Sequence, residues 1–400
     1  MKIGIYGGTF DPPHLGHMEA ARAAIDHLGL DRLLLIPTKL PPHKFLPTGG
    51  ANEEHRLAMT KLMADGIGPK ATALDLELRR PGVSYSVDTI SALREEMPEA
   101  ELYLLMGTDM FLSFESWREP EAIAKDVVLV PFYRESGGSH ELFAVQSEKL
   151  KAQLGATIFH LPLASIHPIS SSQIRKLLAT EERWDEAGAL LWPPVYGYIL
   201  QNQLYETRAD LKALTIEQLR AVSYSMIRAK RIPHVQGTEA TAVALAEHWG
   251  VDPELARRAA ILHDCTKYVE LEEQLLLCSQ FKLSLDELEK TSVKMLHSKT
   301  GAALSKHVFG QCDAICDAIA CHTTGKPDMT VFDKVLYLAD YVEPSRDFDG
   351  LERMRELVFE DLDKAMIYGL EMTIQELQEK EAPVHPNTRM TLEQLKGSHL

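Results

Sequence analysis

Residues 7–17 of this 400-residue chain read GGTFDPPHLGH, and they lie between a predicted strand at 3–6 and a predicted helix at 18–28. Gly7 and Gly8 permit close approach of the backbone to a ligand at the carboxyl end of the strand. The helix that follows presents free N–H groups and the positive end of its dipole to an anion. His14 and His17 can donate hydrogen bonds to phosphate oxygens at the same place. The stretch therefore predicts a phosphate-binding turn in an opening strand–helix–strand unit.

The apolar pattern on either side of this turn indicates the fold class. Near-continuous apolar runs recur, separated by helical sequence, at 33–36, 102–106, 127–130 and 157–161. Continuous rather than alternating apolarity is typical of parallel strands covered by helices on both faces. We therefore predict an α/β fold for this half of the chain, with a Rossmann-like, doubly wound parallel sheet.

The strand signal disappears after about residue 208. Eight later segments have helical patterns, at 215–229, 239–249, 253–262, 271–277, 300–308, 313–320, 332–341 and 360–378. The change from alternating to all-helical sequence predicts two domains, at residues 1–207 and 208–400, of which the second is all-α.

The composition and net charge of the chain argue against several classes of function. The chain has 58 acidic and 42 basic residues and a formal net charge of −16. Such a charge opposes non-specific binding to nucleic acid and to anionic membranes. No run approaches the roughly 20 apolar residues of a membrane span. The odd number of cysteines, five, favours reduced thiols over a disulfide framework. We expect a cytoplasmic enzyme that binds neither nucleic acid nor membrane, and the sequence leaves open whether it forms a homo-oligomer.

A second candidate anion site is the stretch ISSSQIR at residues 169–175. The hydroxyls of Ser170, Ser171 and Ser172 stand at a predicted helix start, and Arg175 follows on that helix. Together they can hold the outer phosphates of a triphosphate. Taken alone, the stretch favours the simpler interpretation of a serine cap followed by a solvated arginine.

The two stretches together resemble the signatures of the nucleotidylyltransferase superfamily, and more closely those of bacterial nicotinate-mononucleotide adenylyltransferases. Further matching segments are PPHK at 41–44, SYSVDT at 84–89, GTD at 107–109 and Trp117. The resemblance covers about residues 1–203. It implies in-line attack of the mononucleotide phosphate on the α-phosphorus of ATP, with Mg²⁺ bound alongside the ATP, to give deamido-NAD and pyrophosphate. A related transferase that uses pantetheine phosphate or nicotinamide mononucleotide is the alternative.

The same resemblance implies roles for particular residues. His14, His17 and Lys44 would stabilise the phosphates. Arg175 and the Ser170, Ser171 and Ser172 turn would bind pyrophosphate. The remaining implied substrate-binding residues are Gly8, Thr9, Phe10, Gly107 and Asp109, the last two on the adenosine side, together with Tyr85, Ser86 and Trp117 around the nicotinate ring.

The second half carries a pattern of candidate metal ligands. His263 and Asp264 end an apolar helical run, and they are joined along the chain by His234, His297, His322 and Asp340. Four imidazoles and two carboxylates on separate helices can converge on two divalent ions, with Asp264 as the carboxylate that bridges them. Any one of these histidines alone is as consistent with a surface or satisfied core residue.

In this order the six residues resemble the ligand set of HD-domain phosphohydrolases, and the surrounding sequence, over about residues 215–390, is similar to the YqeK family. The resemblance implies symmetrical hydrolysis of diadenosine tetraphosphate to two ADP at a two-metal centre, with iron as the metal. Asp264 would have a catalytic role, and Lys267 and Arg346 would bind outer phosphates. Two alternatives remain: a regulatory nucleotide sensor, or a hydrolase of another nucleotide such as guanosine tetraphosphate or a deoxynucleoside triphosphate.

Overall fold

The computed structural model describes residues 1–42, 49–132, 139–161 and 169–398. The chain divides into two compact units, Met1–Arg208 and Ala209–Leu400. The boundary predicted from the sequence, between residues 207 and 208, lies one residue from this division. Among the described helices, none combines the length and the apolarity needed to cross a bilayer.

The first unit is built on a six-stranded parallel sheet with the strand order β3-β2-β1-β4-β5-β6. The strands are β1 (Lys2–Gly8), β2 (Arg32–Pro37), β3 (Ala71–Ala73), β4 (Glu101–Gly107), β5 (Val127–Phe132) and β6 (Thr157–Ile158). The predicted doubly wound α/β fold is confirmed. Because the order reverses between β1 and β4, the carboxyl ends of these two strands border a crevice of the kind that binds ligands in such sheets.

The core of this sheet explains the continuous apolar runs in the sequence. Ile3, Ile5, Leu34, Leu104 and Leu129 are all almost fully buried in one cluster. Successive residues of a strand point to opposite faces of the sheet. Because helices cover both faces, both sets of residues are apolar. The helices of this unit are α1 (Leu15–Leu28), α2 (Glu53–Ile67), α3 (Ser86–Glu96), α4 (Thr108–Leu112), α5 (Pro120–Asp126), α6 (Ser139–Leu154), α7 (Ser171–Leu178), α8 (Trp184–Gly188) and α9 (Pro193–Gln201).

Two details of the sheet differ from the sequence prediction. Strand β3 was not predicted, and the predicted strand at 157–161 is a strand only over its first two residues. Leu161 then makes a single isolated bridge to Phe132. Both elements lie at sheet edges, where pairing on one side requires fewer ladder contacts and leaves a weaker sequence pattern.

The described part of the second unit contains helices and no strand, which confirms the all-α prediction. Its helices are α10 (Ile216–Ser225), α11 (Ile232–Trp249), α12 (Pro253–Leu262), α13 (Leu271–Gln280), α14 (Val293–His307), α15 (Asp313–Cys321), α16 (Val331–Val342), α17 (Leu351–Glu360), α18 (Leu362–Glu379) and α19 (Pro386–Ser398). The predicted helix at 239–249 begins a full two turns earlier, with Pro233 in the first turn, where the missing N–H costs nothing. This earlier start brings His234 onto α11.

Candidate active sites

A cleft of about 1230 Å³ opens in the first unit at the carboxyl ends of β1 and β4. Most of the substrate and catalytic residues predicted for this unit line it: Gly8, Thr9, His14, His17, Tyr85, Ser86, Gly107, Asp109, Trp117, Ser170, Ser171, Ser172 and Arg175. Phe10 is buried instead, with its ring packed against those of Tyr6 and His17. Lys44 lies outside the described residues.

The geometry at the start of α1 determines which nitrogen of His17 carries a proton. The His14 backbone N–H donates to His17 Nδ1 at 3.1 Å. Because a backbone N–H can only donate, Nδ1 is an acceptor, and the neutral ring then holds its proton on Nε2. Burial, and after it the neighbouring His14, lower the pKa of His17 well below its usual value. His17 is therefore a neutral hydrogen-bond donor through Nε2.

Hydrogen bonds tie the serine turn to the glycine-rich turn, 159 and 164 residues apart in sequence. Ser171 Oγ donates to the carbonyl of Pro12 at 2.9 Å. Arg175 Nη1 donates to the carbonyl of Asp11 at 2.5 Å, and its Nη2 donates to Ser172 Oγ at 3.2 Å. The structure thus brings the two predicted anion-binding stretches together into one site.

Asp11, which the sequence analysis did not single out, connects this site to distant parts of the unit. The carboxylate is buried, and its Oδ1 accepts from the Tyr205 hydroxyl at 2.7 Å and from the Ala51 N–H at 2.9 Å. Its Oδ2 lies 3.8 Å from Arg175 Nη1. Burial, and then the charge of Asp11, raise the pKa of Tyr205 well above its usual value, so the hydroxyl stays a donor. These partners lie 40 or more residues away, and no local pattern could have shown them.

The far end of the cleft holds aromatic side chains. The buried Nε1–H of Trp117 has no hydrogen-bond acceptor among the described residues. The Trp117 ring packs against Phe114, with centroids 5.3 Å apart. The guanidinium carbon of Arg118 lies 4.8 Å from the centroid of the Tyr85 ring, which is the range of a cation–π contact. Arg118 also lines the cleft, and its position directly after Trp117 is the only signal the sequence offered.

In the second unit, the six predicted metal ligands converge. Asp264 Oδ2 lies 3.5 Å from His263 Nε2 and 3.8 Å from His234 Nε2. The other oxygen of the same carboxylate, Oδ1, lies 3.2 Å from His297 Nε2 and 3.9 Å from His322 Nε2. One carboxylate therefore faces two separate imidazole pairs with its two oxygens.

Asp340 completes one of the two groups. Its Oδ1 lies 3.0 Å from His234 Nε2 and 3.9 Å from His263 Nε2. Atoms about 2.1 Å from a common metal ion stand roughly 3 to 4 Å from one another, so these spacings fit coordination. We define position A by His234, His263, Asp264 and Asp340, and position B by Asp264, His297 and His322.

All four imidazoles are held by their Nδ1 atoms. His263, His297 and His322 each donate from Nδ1 to a backbone carbonyl three residues earlier, of Ala260, Lys294 and Ile319, at 2.6, 2.8 and 2.7 Å. The fourth, His234, contacts the carboxylate of Glu343 at 2.9 Å. With the proton on Nδ1, each Nε2 keeps its lone pair for a metal, which is the usual arrangement around ligating histidines.

Burial and neighbouring charges shift the pKa values of several side chains in this cluster. Burial raises the pKa of Asp264. The charge of protonated His263 and its hydrogen bond lower that pKa by a larger amount, so it lies well below the usual value. Burial, and after it the neighbouring His297 and His263, lower the pKa of His322 to about 3. Burial lowers the pKa of His263, but the charge of Asp264 and its hydrogen bond raise it by more, so the net pKa lies above the usual value. Because metal binds to ionised carboxylates and neutral imidazoles, an ion held by His263 would displace its proton.

Three cationic side chains border the cluster. Lys267 Nζ lies 3.0 Å from Asp264 Oδ1, and Arg346 Nη2 lies 2.7 Å from Asp340 Oδ1. Both were predicted to bind phosphates, and here they contact the ligand carboxylates. Arg231, which the sequence analysis did not single out, donates from Nε to Asp264 Oδ2 at 2.7 Å. Its place three residues before His234 is the signal that could have found it.

Comparison with known proteins divides the chain in the same way. The family described as "Cytidylyltransferase-like" matches residues 5–177, and the HD domain family matches residues 231–345. A probable nicotinate-nucleotide adenylyltransferase of Pelobacter propionicus is 36% identical over 219 residues, and that of Gloeobacter violaceus is 37% identical over 212. These matches span 98% of each relative, and 51% and 52% of this chain.

Solved structures are similar to either half. A Clostridium acetobutylicum protein, described as a predicted HD superfamily hydrolase involved in NAD metabolism, is 32% identical, with 46% of this chain and 98% of that chain covered and a TM-score of 0.45. The nicotinic acid mononucleotide adenylyltransferase of Plasmodium falciparum is 19% identical, with 52% and 98% covered and a TM-score of 0.43.

Proposed function

The chain belongs to the nicotinate-nucleotide adenylyltransferase family, and we propose on that premise that its first unit transfers the adenylyl group of ATP to nicotinate mononucleotide, releasing pyrophosphate and forming deamido-NAD. The observation that carries this proposal is the joining of the glycine-rich turn and the serine turn at the switch point of the sheet. That arrangement offers an anion two helix N-termini, two imidazoles and one guanidinium.

The residues of the cleft can perform this reaction without a covalent intermediate. A phosphate oxygen of the mononucleotide attacks the α-phosphorus of ATP as the bond to the pyrophosphate oxygen breaks. Such a transfer depends on positioning and on charge stabilisation. The Nε2–H of His17 donates to an oxygen of the α-phosphate, while Arg175 and the serine turn hold the pyrophosphate. Mg²⁺ entering with ATP would offset further phosphate charge.

The aromatic end of the cleft suits the pyridine ring of the mononucleotide. Tyr85 and Trp117 offer ring faces, and the Arg118 guanidinium and the Ser86 hydroxyl offer donors suited to the nicotinate carboxylate. Asp109 and the Gly107 backbone are assigned to the adenosine. These groups favour nicotinate mononucleotide over its amide, which carries no carboxylate for Arg118 to pair with.

A substrate panel tests the first half of the proposal. The full chain is incubated with Mg²⁺, ATP and one of nicotinate mononucleotide, nicotinamide mononucleotide or pantetheine phosphate, and pyrophosphate release is followed. We expect the highest kcat/KM with nicotinate mononucleotide. A higher kcat/KM with either of the other two would assign the cleft to that substrate instead.

For the second unit we propose symmetrical hydrolysis of diadenosine tetraphosphate to two ADP at a two-metal centre, with iron as the metal. The HD domain family supports a phosphohydrolase. The observation that carries the two-metal centre is the Asp264 carboxylate, whose two oxygens face two separate pairs of imidazole nitrogens. A carboxylate placed in this way can bridge two ions.

The surrounding side chains have separate roles in this proposal. Two divalent cations would supply Lewis acidity and lower the pKa of a water molecule. The polyphosphate carries several negative charges, and Arg231, Lys267 and Arg346 are the cations that border the cluster. Once metal ions neutralise the ligand carboxylates, these three side chains are available to bind phosphate oxygens.

Product analysis tests the second half. The full chain is purified anaerobically, its metal content is measured, and it is incubated with diadenosine tetraphosphate while nucleotides are separated by chromatography. Two equivalents of ADP support the proposal. AMP with ATP would overturn the position of cleavage. If the metal-loaded chain does not turn this substrate over, guanosine tetraphosphate and deoxynucleoside triphosphates are tested next, and failure with all of them favours a nucleotide sensor.

A further inference from the structure

One of the four ligand histidines is supported differently from the others. Three of them donate from Nδ1 to backbone carbonyls of their own helical turns. His234 instead contacts Oε1 of Glu343, a residue that follows α16 and is 109 positions away. No function considered so far uses Glu343. A negative charge behind an imidazole makes its Nε2 a stronger metal ligand than a neutral carbonyl does.

The fold builds a dedicated place for this carboxylate. Glu343 is fully buried, and the N–H of Ser345 donates to its Oε2 at 2.7 Å. The Ser345 hydroxyl contacts Oε1. Gly237 lies three residues after His234 on α11, and a Cβ placed there would stand 2.4 Å from Glu343 Oε2. A side chain at position 237 would therefore displace the carboxylate from its place beside His234.

The two metal positions are consequently unequal. Position A has the carboxylate-supported His234 and two carboxylates, Asp264 and Asp340. Position B shares Asp264 with it, and its two imidazoles are both held by carbonyls. Cations border both positions, with Arg231 and Arg346 at A and Lys267 at B. A metal ion that enters either position would therefore replace a contact between a cationic side chain and a ligand carboxylate.

We propose that Glu343 is a positioning residue that makes position A the tighter of the two metal positions, so that divalent ions fill A before B. The inference rests on the two-metal centre proposed above. It extends that proposal by assigning an order of loading and by naming Glu343 and Gly237 as residues that, in addition to the ligand Asp340, favour position A. At limiting metal concentration the chain then holds one ion, in position A.

Calorimetric titration of the metal-free full chain with Co²⁺ tests this order, and the visible absorption of bound cobalt provides a second readout. Wild type is expected to show a tighter and a weaker binding step. Glu343→Ala should weaken the tighter step about 10- to 100-fold, the usual effect of removing such a partner, and leave the weaker step unchanged. Glu343→Gln keeps a hydrogen-bond acceptor without the charge, so its loss should be smaller. His297→Ala should remove the weaker step and keep the tighter one.

Glu352→Gln is the matched control, because that side chain is 89% exposed on α17. Its two steps should equal those of wild type. The inference is overturned if Glu343→Ala leaves both steps unchanged, or if it weakens both equally. If Glu343→Ala fails to fold, as judged by circular dichroism without metal, the Gln variant decides by the same criterion. Wild type that binds no cobalt would instead refute the proposed metal centre, which is a distinguishable result.

Discussion

The catalytic role that we propose for His17 rests on one hydrogen bond. Because His14 N–H occupies Nδ1, the proton on Nε2 is the donor available to a phosphate. His17→Ala should lower kcat for adenylyl transfer about 100-fold or more, the scale for removing one preorganised donor. Initial-rate kinetics with saturating ATP measure it. His27→Ala, an exposed histidine on the same helix, is the control, and a near-wild-type rate for His17→Ala would remove His17 from catalysis.

The buried state of His17 also predicts a pH dependence of stability. Its pKa in the folded chain lies below the usual value of about 6.5, so the unfolded chain binds a proton that the folded chain does not. The contribution of neutral His17 to the free energy of unfolding is therefore present in full above pH 6.5, and it decreases as the pH falls below that value. Urea unfolding between pH 7 and 5 should show a steeper loss for wild type than for His17→Gln, by up to about 1.4 kcal/mol per pH unit. Parallel slopes would contradict the lowered pKa.

Candidate site residues with a local signal could be predicted from the sequence, and residues whose partners lie far along the chain could not. His14 and His17 stand three residues apart at a helix start, a spacing visible in the sequence. Asp11, Glu343 and Arg231 make their hydrogen bonds to residues far along the chain. Without those contacts, the sequence indicates only that an aspartate, a glutamate or an arginine lies on the surface, because these residue types are mostly exposed.

Helix α2 offers a test of packing between elements. Gly66 lies near its end, and a Cβ there would stand 2.6 Å from Trp192 Nε1. Alanine has the better helix propensity, but the clash with a rigid indole outweighs it. Gly66→Ala should destabilise the first unit by about 1–3 kcal/mol, the usual cost of overpacking.

The control for this prediction is Gly397→Ala on α19, because a Cβ at Gly397 meets nothing within 4 Å. That variant should be neutral or slightly stabilising, since alanine restricts the unfolded chain more than glycine does. Thermal denaturation of both variants measures the difference. An equal effect of the two substitutions would show that the Trp192 contact does not constrain α2.

Elements with a strong local pattern were predicted and those without one were not. The predicted strands at 3–6, 33–36, 102–106 and 127–130 became β1, β2, β4 and β5, because burial on both faces demands apolar residues throughout. Strand β3 reads Ala-Thr-Ala and has no such run. The predicted helix at 360–378 is shortened at its start, because the Asp361 side chain accepts from the N–H groups of Asp363 and Lys364 and begins a new helix there.

For the whole molecule, the two units should respond differently to metal. Binding to the folded state alone stabilises the unit that holds the site, by about 2.7 kcal/mol at 100 times Kd. Differential scanning calorimetry of the full chain should therefore show one transition that falls in temperature when metal is removed with a chelator, and one that does not move. The Asp264→Ala chain should show no shift of either transition. A shift of both in wild type would contradict separate metal binding by the second unit.

The two-domain architecture could be predicted because each half of the sequence has its own pattern. Strands and helices alternate in the first half, and helices alone follow in the second. Candidate sites could be predicted where residue type and spacing coincide with a known signature, as in residues 7–17 and 169–175. The orientation of side chains within each site, including the imidazole tautomers and the cations around Asp264, comes only from the folded chain.

We expect one chain to carry out two separate reactions, and product analysis of three full-length chains distinguishes this from a single shared site. Wild type, His17→Ala and Asp264→Ala are each assayed for deamido-NAD formation and for hydrolysis of diadenosine tetraphosphate. We predict both reactions in wild type, loss of adenylyl transfer alone in His17→Ala, and loss of hydrolysis and bound metal alone in Asp264→Ala. Two independent sites are ruled out if either substitution abolishes both reactions in a folded chain, and the metal centre is ruled out if Asp264→Ala keeps its metal and its hydrolysis.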